Sequence, residues 1–214
     1  MRKNSKRKNL GRPRSELAKK NILNATYNLL KDKGFRAIGY HEIAKAAGVS
    51  SATLYRWWDC KEEILFDACF YNYRPFVPVS ESGSALESFH QYILRVAEFL
   101  VSENGIVISR LICGINDNKK LHEIYLKRYI IPRRKIQVGL IKEAIASGEL
   151  KRDTDPELLI DAVTGPLYFR WLQRHAPLDR KFAEKIFNKF IPVFKNNTAR
   201  GPRTQRSIVR KTKG

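Results

Sequence analysis

The sequence predicts an all-α chain in two helical parts, and three observations predict it. Apolar residues recur at i, i+3 and i+4 spacing through most of the chain, and no segment of useful length alternates with the period of a strand. The clearest break, residues 74–83 (RPFVPVSESG), holds two prolines and interrupts that pattern as a candidate linker. Ahead of it, residues 40–61 (YHEIAKAAGVSSATLYRWWDCK) read as two short helices joined by a tight turn at Gly48. The expected division is a disordered basic arm over 1–14, a helix-turn-helix unit over 15–73, a second helical domain over 84–195 and a disordered basic tail over 196–214.

Residues 1–13 are polar and basic and end in Gly11-Arg12-Pro13, so they hold no core of their own. Arg12 and Arg14 in such an arm suit a narrow A·T minor groove, whose potential draws arginine side chains; a solubilising tail is the other reading. Ser15 is expected to cap a helix running to about Lys33, with Ala18, Ile22, Ala25 and Leu29 at helical spacing and Gly34 as its stop. Phe35 packs the turn. The next helix starts at Gly39 without a capping side chain, which costs little, and carries Ile43, Ala44 and Ala47 on one face. Ser50 caps the helix after Gly48, and Leu54 and Trp58 face inward from it. Asp59 is expected to cap a fourth helix with Ile64, Leu65, Ala68 and Cys69 on its apolar side.

Beyond the break, Leu86, Phe89, Ile93, Val96, Ala97 and Leu100 mark one helix, and residues 106–115 a short one apolar enough to be buried on most sides. Residues 121–147 form a long helix that Pro132 kinks or divides and Gly148 closes. Asp155-Pro156 is an N-cap followed by proline at the first helical position; Leu159, Ala162, Val163, Leu167 and Trp171 follow, to about Arg174. Asp179 begins the last helix, with Phe182, Ile186, Phe190 and Phe194 four apart and Pro192 fraying its end.

Charge narrows the partner. The chain has 41 lysines and arginines against 21 acids, a net +20. Seven of the basic residues lie in 1–14 and six in 199–214, and neither stretch holds an acid. Such an excess, carried on basic arms flanking an ordinary body, points to a polyanionic partner, either nucleic acid or an anionic membrane surface. Cys60, Cys69 and Cys113 show neither paired nor metal-ligand spacing and read as reduced thiols, and His90, His122 and His175 have no metal-like spacing. No cofactor, membrane span or signal peptide is expected, which places the chain in the cytoplasm with the nucleoid. No nucleophile–base pair, paired-carboxylate site or phosphate-cradling loop argues for an enzyme.

A DNA reader needs small or polar residues at the start of its second helix, so that the backbone approaches the base edges. Ser51, Ala52 and Thr53 meet that need. Tyr55, Arg56 and the Trp57 indole are placed to donate to phosphates, and Lys61 adds a cation at the next helix N-terminus. Singly, each suits an ordinary packing or surface role; together within a dozen residues they form a specific set.

At these residues the chain resembles the tetracycline-repressor (TetR) family of bacterial transcription regulators. The likeness runs from Gly34-Phe35 through Glu42-Ile43-Ala44, Ala47-Gly48-Val49-Ser50, Ala52-Thr53-Leu54-Tyr55 and Lys61-Glu62-Glu63-Ile64-Leu65. Matched by position, Ser51, Ala52, Tyr55, Arg56, Trp57 and Lys61 fall where family members touch DNA. Members usually carry Thr or Ser near Ile38-Gly39; here that hydroxyl is missing, and His41 is expected to supply a contact instead. Gly is commoner than Ala52 and Phe than Trp58, differences that bear on the operator sequence.

The resemblance also implies a homodimer and a small effector, and residues 146–171 resemble one C-terminal subtype of the family. Leu159, Val163, Leu167, Trp171, Phe182, Ile186 and Phe190 are expected to bury one another across a symmetric four-helix bundle, the other reading being that they close a monomer's core. Phe89, Ile93, Phe99, Ile108, Leu111, Ile112, Tyr125, Tyr129, Phe169 and Trp171 provide surface to line a cavity for a partly apolar effector, although each also suits a plain helical core. The expectation is a repressor released from a palindromic double-stranded operator by a small molecule. The alternative is an architectural nucleoid protein with little sequence preference.

Overall fold

The computed structural model describes residues 11–71 and 84–196, with side chains from Glu16 onward. The expected 74–83 linker, most of the basic arm, the Arg12 and Arg14 side chains and the tail beyond Asn196 lie outside the described residues.

Helix α1 (Gly11–Lys33) begins at Gly11 rather than Ser15. Pro13 does not oppose the earlier start, because first-turn amides have no intrahelical acceptor to meet. Ile22, Leu23, Thr26 and Leu30 are its buried residues, and α1 packs on α2 (Tyr40–Ala47) and α4 (Lys61–Phe70). A 3-10 turn, Phe35–Ala37, leads into α2. Gly39 brings no capping side chain, and Glu42 supplies the missing half: its carboxylate accepts from the Gly39 N–H at 3.0 Å. Backbone N–H groups of Glu42 and Gly39 hold that carboxyl below the usual range. Gly48, at φ 64°, reverses the chain, and Ser50 accepts from the Thr53 N–H to open α3 (Ser51–Tyr55). The N-cap of α4 is Cys60, one residue past the expected Asp59; the Asp59 N–H instead donates to Glu63.

In the second half, Ser102 both ends α5 (Ala85–Val101) and caps α6 (Glu103–Ile112), so the two meet at a sharp corner. A Cβ at Gly105 would lie 2.3 Å from the Phe99 carbonyl oxygen, so that corner requires glycine. The 121–147 segment is divided, as Pro132 leads one to expect: α7 (Lys119–Tyr125), a widened π-turn (Leu126–Ile130) and α8 (Ile131–Ala146). Pro132 is the physical reason, since it has no N–H to offer the Arg128 carbonyl in the regular i−4 pattern. Helices α9 (Pro156–Gln173) and α10 (Arg180–Phe194) follow with Asp155 and Asp179 as caps. Pro192 does not fray α10: Lys195 still donates to Ile191, and Asn188, whose carbonyl loses a donor, is exposed to solvent.

Helix α5 is the central post, contacting α6, α8, α9 and α10. The two halves are packed together, α1 on α6 and α4 on both α6 and α7. Among the described residues no helix is long and apolar enough to cross a membrane, and no strand forms beyond an isolated Leu150–Lys195 bridge.

Candidate nucleic-acid interface and the cavity behind it

Local sequence dictates which face of α2–α3 is offered to solvent. Leu54 and Trp58 are buried beside Ile43 and Ala44, which turns Ala52, Tyr55 and Arg56 outward; His41 on α2 is exposed as well. Burying two such side chains contributes about 2 kcal/mol each, enough to hold a five-residue helix that would not form alone. Tyr55 stacks on Tyr40 with ring centroids 4.4 Å apart, and the Tyr40 hydroxyl donates to the Trp58 carbonyl at 3.4 Å. Burial pushes the Tyr40 phenol up to about 12, so it stays protonated. Tyr40 is therefore a positioning residue that sequence reasoning passed over; its signal was an aromatic three residues before Ile43, on the same side of α2.

Thr53, Trp57 and Lys61 are more committed than expected. The Thr53 hydroxyl sits 3.0 Å from that of Ser50 within the cap. Trp57 is half-buried, with the Lys19 ammonium 5.3 Å from its ring centroid. Lys61 donates to the Ile38 carbonyl at 3.1 Å and lies over Phe35, so one of its three donors pins the entry to α2. Ser51 is half-buried at the start of α3.

Behind this surface runs a polar joint to the second half. The Trp58 indole donates to Asp67 at 2.7 Å, and the other Asp67 oxygen pairs with Arg128 of the π-turn. Asn118 donates to the buried Glu62 at 2.9 Å, Arg36 pairs with Asp117, and Tyr27 donates to Asn104 at 2.6 Å. Gly114 sits against the Phe35 ring, where a Cβ would approach to 2.3 Å. The 113–118 loop and the π-turn thus rest directly on the reader.

Beside the same segments lies a cavity of about 300 Å³, lined by Ile112, Tyr125, Ile130, Arg133, Arg134, Gln137, Thr164, Tyr168, Trp171 and Leu172. Of the lining residues expected from sequence, Ile112, Tyr125 and Trp171 are there. Phe89, Ile93, Ile108 and Leu111 are at most 1% exposed and interdigitate in the core around α5, so no ligand meets them. Tyr129 is also buried, its ring 4.7 Å from Phe70 and 4.7 Å from the Arg133 guanidinium, and Phe169 is on the outer surface. The residues missed were Ile130, Tyr168 and Leu172 together with four polar ones, Arg133, Arg134, Gln137 and Thr164. Arg133 and Gln137 stand on the buried stripe of α8 with Leu140, Ile141 and Ala144, and polar groups on an otherwise apolar stripe were the available signal.

The outer faces of α9 and α10 also differ from expectation. Leu159, Val163, Leu167 and Trp171 face the subunit's own core and cannot form a dimer seam. The opposite side of α9 presents Leu158 (60% exposed), Ala162, Gly165, Phe169 (59%) and Leu172 at alternating four- and three-residue steps. On α10, Phe182, Ile186 and Phe190 are half-buried and Val193 is 62% exposed; the Arg170 guanidinium covers Phe182 at 3.4 Å.

Two family profiles match the chain: "Bacterial regulatory proteins, tetR family" over residues 22–68 and "Tetracyclin repressor-like, C-terminal domain" over residues 79–189. The HTH-type transcriptional regulator YdeS of Bacillus subtilis (strain 168) is 39% identical over 162 residues, 76% of this chain and 82% of that protein. Among solved structures, NalD of Pseudomonas aeruginosa, described as the secondary repressor of the MexAB-OprM multidrug efflux pump, superposes with a TM-score of 0.66 at 20% identity, covering 87% of this chain and 100% of that one. FadR from Bacillus subtilis in complex with stearoyl-CoA gives a TM-score of 0.66 at 20% identity, covering 80% of this chain and 97% of that one. At such identities these two likenesses show the fold.

Proposed function

This chain belongs to the tetR family of bacterial regulatory proteins and is a helix-turn-helix DNA-binding transcriptional regulator, and from that premise we propose a dimeric repressor that leaves a palindromic operator when a small molecule fills the α6–α9 cavity. The observation that carries this reading is the shared wall. Ile112, Tyr125 and Ile130 line the cavity, and the chain between and beyond them holds Gly114, Asp117, Asn118 and Arg128, which touch Phe35, Arg36, Glu62 and Asp67 of the reader. A ligand that displaces the wall therefore displaces the reader.

In this reading residues 15–73 are the reader and residues 84–195 the regulatory and dimerising part. Helix α3 enters the major groove with Ser51, Ala52 and Thr53 toward the bases, and Tyr55, Arg56 and His41 toward phosphates. Lys61 keeps two donors for a phosphate beside the α4 N-terminus, and Trp57 positions more than it donates. Arg12 and Arg14, whose side chains lie outside the described residues, stay in this reading as the minor-groove contacts expected from the sequence. The outer faces of α9 and α10 pair with those of a second copy in a four-helix bundle, leaving Leu159, Val163, Leu167 and Trp171 in each subunit's own core.

A dimer reads half-sites about 34 Å apart, so a small rotation of each reader breaks the match. The ligand shifts the balance only by its differential affinity for the two states, and each 1.4 kcal/mol of difference is about tenfold. Repression is favoured over activation by NalD, described as a repressor, and an effector by FadR, which holds stearoyl-CoA. Catalysis has no part in this reading.

Selecting bound duplexes from a random pool and footprinting the best tests the proposal. An inverted repeat protected over one short site is expected. Uniform coating of any sequence would instead support an architectural protein and sink the repressor.

A further inference from the structure

We propose that the groove between the α5–α6 corner and the end of α9 binds an amphipathic organic anion, its head group on Arg170 and Arg174 and its apolar body on Leu100, Val101, Ile106 and Trp171. The groove, about 270 Å³, shares only Trp171 with the α6–α9 cavity, so this site stands apart from the effector reading.

Arg170 and Arg174 stand four residues apart at the end of α9. Their partners are neutral: Arg170 donates to the Pro177 carbonyl at 2.6 Å and lies over the Phe182 ring, and Arg174 donates to the Ser109 hydroxyl at 3.1 Å. Neither pairs with an acid among the described residues, and no aspartate or glutamate lines the groove. A guanidinium carries five N–H donors, so both keep donors for an occupant. Cations at a helix C-terminus also answer its carbonyl dipole, a role that needs no ligand. Arg174 goes beyond that role. It ends α9 at φ 51° and ψ 23°, the left-handed conformation that glycine or asparagine adopts at least cost. Among the described residues no other non-glycine has a positive φ. That backbone turns the guanidinium to Ser109 of α6, at the wall of the groove.

The remainder of the groove is apolar. Val101 and Ile106 at the α5–α6 corner are 48% and 41% exposed, and the buried Leu100 and Trp171 close its floor. An apolar body lying there removes Val101 and Ile106 from water, and an anionic head at its end takes charge-assisted hydrogen bonds from the two arginines. A cationic head would face two guanidinia with no acid beside them, and a neutral one would forgo the charge-assisted bonds. Ile106 follows closely on Glu103 and Asn104, which bond Lys31 and Tyr27 of α1, so an occupant touches the helix on which the reader's first helix rests. The volume lies at the small end of ligand sites and selects a short body.

The test measures binding of decanoate, decyl sulfate, decanol and decyltrimethylammonium to the full chain by equilibrium dialysis, and maps a diazirine-bearing decanoate by photolysis and mass spectrometry. Both anions are expected to bind about tenfold tighter than decanol, with the preference shrinking as salt is raised, and the cation weakest. The photolabel is expected in the stretches 99–107 and 170–178. Arg174→Gly suits the left-handed backbone and leaves the Ser109 hydroxyl donating to the Ile106 carbonyl. It is expected to keep stability in urea while weakening both anions about fivefold. Val101→Glu, on the exposed rim, sets a carboxylate beside the arginines and should weaken the anions but not decanol. No binding of any probe, equal binding of decanoate and decanol, an anion preference unchanged in both variants, or label confined to 125–137 overturns the proposal.

Discussion

At the scale of single residues, the reader works because a few side chains are held and their neighbours are left free. Tyr55 is held by its stack on Tyr40 and stays exposed, and in the proposed reading its hydroxyl meets DNA; Arg56 is exposed beside it. Tyr55→Phe keeps the stack and removes only the donor. It and Arg56→Ala are expected to weaken binding to all sequences, and Arg56→Ala to flatten the log–log salt dependence by about 0.9 for its phosphate, as read from filter binding at several salt concentrations. An unchanged slope in Arg56→Ala removes that residue from the contact surface. Lys61→Ala is the poorer probe, since Lys61 also pins the Ile38 carbonyl. Gly39 shows the same economy, with Glu42 reaching back to do part of a capping residue's work.

At the scale of elements, α9 carries apolar residues on two opposite faces, one inward and one outward. The faces predict different failures. Leu159→Ala opens a hole in a closed core and is expected to cost about 2–5 kcal/mol in urea unfolding, with the dimer otherwise intact. Phe169→Glu or Leu172→Glu, on the outer face, should leave helical content in place and shift sedimentation from dimer to monomer, with operator affinity falling as half-site pairing is lost. A dimer that survives both charges would move the interface elsewhere. The π-turn is a second element with a visible cause. Pro132 widens the helix where Arg128 must face Asp67 and Ile130 must face the cavity, so one backbone irregularity serves both the joint and the site.

At the scale of the whole molecule, the proposed function requires the joint to carry any change at the cavity to the DNA-reading surface. Gly114 is its tightest contact. Gly114→Ala would drive a methyl into the Phe35 ring and is expected to cost about 1–3 kcal/mol of stability, seen in urea unfolding. By shifting the loop it should also lower the fold-change in operator affinity that an effector produces. Destabilisation with the full effector response retained would route the coupling through Asp67 and Arg128 alone.

Much of this was legible in the chain itself. Helix starts at Ser50, Ser84, Asp155 and Asp179, the turn at Gly48 and the inward Leu54 and Trp58 all follow from local rules, because caps, turns and periodicity act over a few residues. Those same residues also determine the kind of reader. What the chain alone could not decide was direction. An apolar residue on α9 satisfies the same periodicity whether it meets its own subunit or another, so Leu159 and Phe169 read alike until α5 and α10 close over one of them. Likewise Phe89 and Tyr125 are equally aromatic, and only the packing of α5 through α9 determines that one is sealed and the other faces a cavity. Local order depends on neighbours in sequence; which face is inside depends on partners far along the chain, and only tertiary structure brings those together.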